Sequence, residues 1–174
     1  RGPTGQGDEP APMEFPDPTR WQLADRFGEP DLIIRSEPYT LAAVTQDKWL
    51  RPTVETGLTE PRWVRAIEIK PAYPNGRKIV HHALAFLIQR EEGGVAGLAS
   101  TATDAGVRDF LFMEWAVGRV GEVFPEDAGK LMLPGSRISW EIHMHAIGEE
   151  VRDNVVELGV YSTPRATCLR TAPF

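Results

Sequence analysis

Apolar and polar positions alternate with period two in several short stretches, and helical spacing is nowhere sustained beyond about one turn. The clearest stretch is 136–145, SRISWEIHMH. Its alternation puts Ile138, Trp140, Ile142 and Met144 on one face, predicted to be the core face. Ser139, Glu141, His143 and His145 fall on the other. The longest β-like apolar run is 78–89, KIVHHALAFLIQ, and 62–70, RWVRAIEIK, predicts a strand with Trp63, Ile67 and Ile69 on one face. Residues 31–35 and 155–161 read as further strands, and 49–56 as an edge strand, because Pro52 cannot donate to a ladder. Phe110, Phe112 and Trp115 predict that part of 107–117 returns to the core, and two short apolar runs flank Pro125 within 120–133. The turn signal PAYPNG at 71–76 makes antiparallel pairing of 62–70 with 78–89 the cheap topology. Residues 91–106 read as a small, polar surface loop and 146–154 as a charged, hairpin-like loop. Short strands at regular spacing predict an all-β fold, an antiparallel β-sandwich of jelly-roll type.

Composition fits this picture. A chain of 174 residues can bury one real core, and 41% hydrophobic with 25% charged residues is ordinary for a globular domain. Fifteen prolines and sixteen glycines fall between the apolar runs, as a turn-rich β fold requires. The first twenty residues, rich in Pro, Gly and acid, read as an extended linker or strap, and 21–174 as the domain. A net charge of −6 argues against a nucleic-acid groove. No apolar run approaches the roughly 18 residues a membrane span needs. The start at Arg-Gly-Pro predicts a processed chain or a piece of a longer one. The single cysteine, Cys168, reads as a free thiol or as a partner for a cysteine elsewhere.

The chemistry concentrates in the histidines. There are four, the adjacent pair His81–His82 and the pair His143/His145, confined to two strand-like runs. Imidazoles at i and i+2 on one strand face have Cβ atoms roughly 7 Å apart and can reach one metal ion. The adjacent pair can do so only where its strand is bulged or ends, since neighbouring side chains otherwise point to opposite faces. A core histidine beside an exposed one is the alternative. Neutral imidazole suits copper, zinc or nickel. There is no phosphate-binding P-loop and no nucleophile elbow. Met144 lies on the core face, and the acidic pairs Glu91–Glu92 and Glu149–Glu150 read as solvated charge.

The runs WVRAIEIKP (63–71) and GRKIVHHALAF (76–86), with ISWEIHMH further on, resemble the first copper domain of the copper type II, ascorbate-dependent monooxygenases. That family includes peptidylglycine α-hydroxylating and dopamine β-monooxygenases. The resemblance spans 21–162 and is closer to bacterial relatives in which the domain follows a c-type cytochrome, with a Pro-rich linker and a segment like WQLADRFGEPDLII. It implies an antiparallel sandwich of jelly-roll type and copper held by His81, His82 and His143 for electron transfer. It also implies an extracytoplasmic setting, a bacterial periplasm, and a redox partner or upstream cytochrome. His145 is extra to the animal pattern and is assigned as a fourth ligand or as a group behind the ligands. The domain that carries the family's substrate-hydroxylating copper has no counterpart here, so the resemblance predicts an oxidoreductase-type module without hydroxylation by this chain alone. The other reading is a structural or docking subunit of a larger electron-transfer assembly, with the histidine site vestigial. A cupin-like metalloenzyme fits less well, because the His-His pair precedes the HxH strand.

Overall fold

The computed structural model describes residues 17–72, 74–90, 107–163 and 170–171, so the loop expected at 91–106, Cys168 and most of the N-terminal strap lie outside the described residues. From Asp17 the chain makes turns and one helical turn, α1 (Ala24–Phe27). There follow β1 (Leu32–Arg35), β2 (Tyr39–Leu41), β3 (Lys48–Leu50), β4 (Thr53–Glu55) and β5 (Arg62–Pro71). A second helical turn, α2 (Gly76–Ile79), leads to β6 (Val80–Arg90) and β7 (Val107–Ala116). The rest is β8 (Gly121–Val123), β9 (Ala128–Met132), β10 (Arg137–Met144), β11 (Val151–Asn154), β12 (Val156–Thr163) and β13 (Arg170–Thr171). No described helix is long and apolar enough to cross a membrane.

Two sheets face each other. One has the order β1-β12-β5-β9-β13, with β8 also on β5; the other has the order β3-β10-β6-β7, with β4 also on β10. The pairs are antiparallel except β13 with β9, and β2 with β11 form a separate two-stranded pair. If β3 with β4, and β8 with β9, are each counted as one interrupted strand, the pairs nest. β1 meets β12, β3/β4 meets β10, β5 meets β8/β9, and β6 meets β7. That nesting is a long hairpin rolled into two sheets, the jelly roll. The break in β3/β4 falls at Arg51–Pro52, where Pro52 has no N–H to give, yet its carbonyl still accepts from Trp140 N–H at 2.9 Å.

The core lies between the sheets. Val64, Ile67, Ile69, Leu158 and Val160 from one layer meet Ala83, Leu87, Ile138, Trp140 and Ile142 from the other. The outer face of the first sheet is closed by the N-terminal segment. Buried Glu68 accepts the N–H groups of Gln22 (2.8 Å) and Leu23 (3.0 Å). Trp21 lies so close over Gly159 that a Cβ there would come within 2.8 Å of the indole.

Three expectations fail. First, β5 and β6 do not pair: the turn between them carries α2 and takes the chain from one sheet to the other. Buried Gly76 donates to Ala72 O at 2.7 Å at the start of that crossing, and buried Ile79 plugs the core at its end. Turn residues specify a reversal, not which sheet receives the next strand. Second, the core face of β5 contains Val64, not Trp63. The register shifts opposite Tyr161/Ser162, making Arg65 the extra residue and reversing the alternation before it. Third, 146–154 is not all loop, since β11 pairs with β2.

Candidate metal centre

β10 obeys the two-residue period throughout. Ile138, Trp140, Ile142 and Met144 are buried, while Ser139, Glu141 and His143 face outward. On its flanks lie β6 on one side and β3 on the other, so His143 sits opposite both His82 and Trp49. The next rung on the β6 side does not pair Met144 with His81 but with Val80. His81 is therefore an extra residue, a β-bulge between two regular rungs, and the bulge lets both imidazoles of the adjacent pair reach the outer face. Neither ring enters the core: His81 is exposed and His82 half-buried.

The three rings converge. His81 Nδ1 and His82 Nδ1 are 3.2 Å apart. Ring centroids are 5.3 Å from His81 to His143 and 4.9 Å from His82 to His143. One ligand atom from each of His81, His82 and His143 lies within 4.8 Å of the other two, so this group could hold a metal ion. Among the described residues, the buried His143 Nδ1 has no hydrogen-bond partner. Such an atom is costly to leave unmatched in a folded protein. Burial, with the charges His143 and His81 can carry, holds the His82 imidazole below its ordinary pKa, favouring the neutral form that ligates.

Two residues that sequence reasoning did not select complete the site. Asp47, in the turn before β3, accepts from His143 Nε2 (3.1 Å, through Oδ2) and from His145 Nδ1 (2.8 Å, through Oδ1). These bonds, led by the one from His145, hold its carboxyl below the usual carboxylate range. Trp49 stacks on His143 with centroids 4.4 Å apart and planes 13° from parallel, and meets His82 at a steep angle, 67° between planes. His145 is therefore joined to the site through Asp47; its side chain is 71% exposed. Trp49 sits on the edge strand expected at 49–56. Nothing in the run TQDK marks Asp47.

Beside the histidines opens a cleft of about 420 Å³, lined by Trp49, Leu84, Ala116 and Val117 with Glu114 and Glu141 at its sides. Glu141 is paired with Arg51 at 3.0 Å. Compared with family models and with curated protein sequences, the chain matches none.

Proposed function

We propose that the chain is an extracytoplasmic copper-binding β-sandwich domain of an electron-transfer type, holding one copper ion on His81, His82 and His143. The observation that carries this reading is the bulge at His81, a local departure from regular pairing whose effect is to turn a second imidazole onto the face of His143. The donor set fits a metal. Metal–imidazole bonds of about 2.0–2.1 Å at a tetrahedral angle separate two nitrogens by about 3.3 Å. The Nδ1 atoms of the adjacent pair stand 3.2 Å apart. A bound metal would also give the Nδ1 of His143, which has no partner among the described residues, something to bind. Three imidazoles suit copper and also zinc; copper follows the resemblance to the first domain of the ascorbate-dependent monooxygenases. Copper would supply a single-electron couple. The residues of the chain hold the three nitrogens together, and the half-exposed Trp49 and the cleft leave the histidines open to solvent on one side. A bacterial periplasm and a redox partner such as a c-type cytochrome complete the proposal.

The test is metal analysis of the purified chain with copper EPR. One copper per chain is expected, lost in His82→Ala and in His143→Ala. Unchanged copper in both variants refutes the assignment, and recovery of the native protein in a cytosolic fraction refutes the location.

A further inference from the structure

We infer that Asp47 and Trp49 are positioning residues that decide which nitrogen, and which ring plane, His143 offers to a metal; this rests on the metal reading above. The two side chains flank Lys48 and hold the imidazole from two directions. Trp49 covers one face of the ring at 4.4 Å. Asp47 Oδ2 takes its edge at Nε2, 3.1 Å away. The rings of His82 and His81 lie near it as well, at 4.9 and 5.3 Å.

The chemistry follows from the proton inventory. A neutral imidazole has one N–H and one lone pair, and an ionised carboxylate only accepts. Asp47 therefore fixes the proton on Nε2 and the lone pair on Nδ1, the buried atom that has no partner among the described residues. A ring rotated by half a turn would present Nε2 inward and lose the carboxylate, and the stacked indole resists tilting of the ring plane. The negative charge also strengthens the ring as a donor, the carboxylate–histidine–metal relation that tunes many metal sites. His145 shares the same carboxylate through Oδ1 and so reaches His143 through Asp47. The edge strand β3 is thus part of the site although it contributes no ligand.

The experiment titrates the full chain with Zn²⁺ and with Cu²⁺, following affinity by calorimetry and the ligand field by EPR of the copper-loaded protein. Asp47→Asn keeps size and shape but removes the charge and the obligate acceptor. It should weaken binding of both metals about 10- to 100-fold and change the EPR spectrum at saturation, with the metal-free protein melting where the parent does. Trp49→Phe should keep near-parent affinity, and Trp49→Ala should lose affinity and broaden the spectrum. His145→Ala should change both readouts less than Asp47→Asn. If the parent binds metal and Asp47→Asn matches it in affinity and spectrum, the positioning role is wrong while the metal site stands. If the parent takes up no metal, both fall. Should Asp47→Asn be poorly folded, Asp47→Glu, which retains the acceptor, must restore the spectrum; failure to do so in a folded protein also overturns the inference.

Discussion

Metal added to the metal-free chain should raise its melting temperature, and the arrangement of the ligands sets the size of the effect. A ligand that binds only the folded state stabilises by RT ln(1 + [L]/Kd), about 2.7 kcal/mol at a hundredfold excess over Kd. The folded state is the selective one here. His81 and His82 are neighbours in any conformation, but His143 joins them only through the pairing of β10 with β6. Unfolding entropy near 2.1 cal/mol/K per residue, taken over the roughly 130 described residues, is about 0.3 kcal/mol/K. A gain of about 2.7 kcal/mol then corresponds to a rise of about 9 °C. His143→Ala leaves only the adjacent pair, which the unfolded chain presents as well, so the rise should shrink to about 2 °C or less. The assay is thermal unfolding by circular dichroism with and without Zn²⁺ at near-neutral pH. An equal rise in the parent and in His143→Ala would show that metal binds elsewhere, and the three-histidine argument would fail.

Two further outcomes are expected. Burial raises the carboxyl pKa of Glu68 in the folded protein, so the folded state holds that proton more firmly than the unfolded one. Its contribution is full below the ordinary glutamate value and is lost as pH rises through the raised one. Glu68→Gln should therefore flatten the fall in stability over that window in urea titrations, and an unchanged pH slope would count against the burial argument. Separately, the 174-residue chain supplied with copper, ascorbate and a peptidylglycine or phenethylamine panel should show no coupled oxygen uptake. On the proposed assignment His81, His82 and His143 serve one site, and His145 is tied to Asp47 beside it. Product formation by the isolated chain would overturn that ligand inventory.

The parts of this molecule that depend on one strand alone were legible in its residues. The alternation in SRISWEIHMH assigns every side chain of β10 to its observed face, because the period is a property of the strand itself. The same rule showed that the His81–His82 pair needs a bulge or a strand end to act together, and the register shift supplies the bulge. What depends on neighbours was less readable. PAYPNG marks a reversal but carries no information about the sheet switch at α2. Arg65 gives no sign that it is the extra residue opposite β12, so strict alternation points to Trp63 where the structure has Val64. Asp47 was invisible for a related reason: it meets His143 across 96 positions of sequence. An acidic residue in a polar turn looks the same whether it faces water or an imidazole.

The row Trp49, His143, His82 and Ala116 crosses four strands, and only its register keeps it together. This divides the chain into stretches that can change length and stretches that cannot. The connection between β6 and β7 can gain or lose residues while the rungs on either side stay matched. One residue added to β10 just ahead of Ile142, with the pairing upstream held fixed, would turn the imidazole into the core and bring Ile142 out against Trp49. One residue deleted at His81 would leave every rung below it paired, but remove both the bulge and an imidazole. Homologous chains that keep this centre should therefore vary in length between β6 and β7 and hold constant the spacing within 137–145 and 80–88.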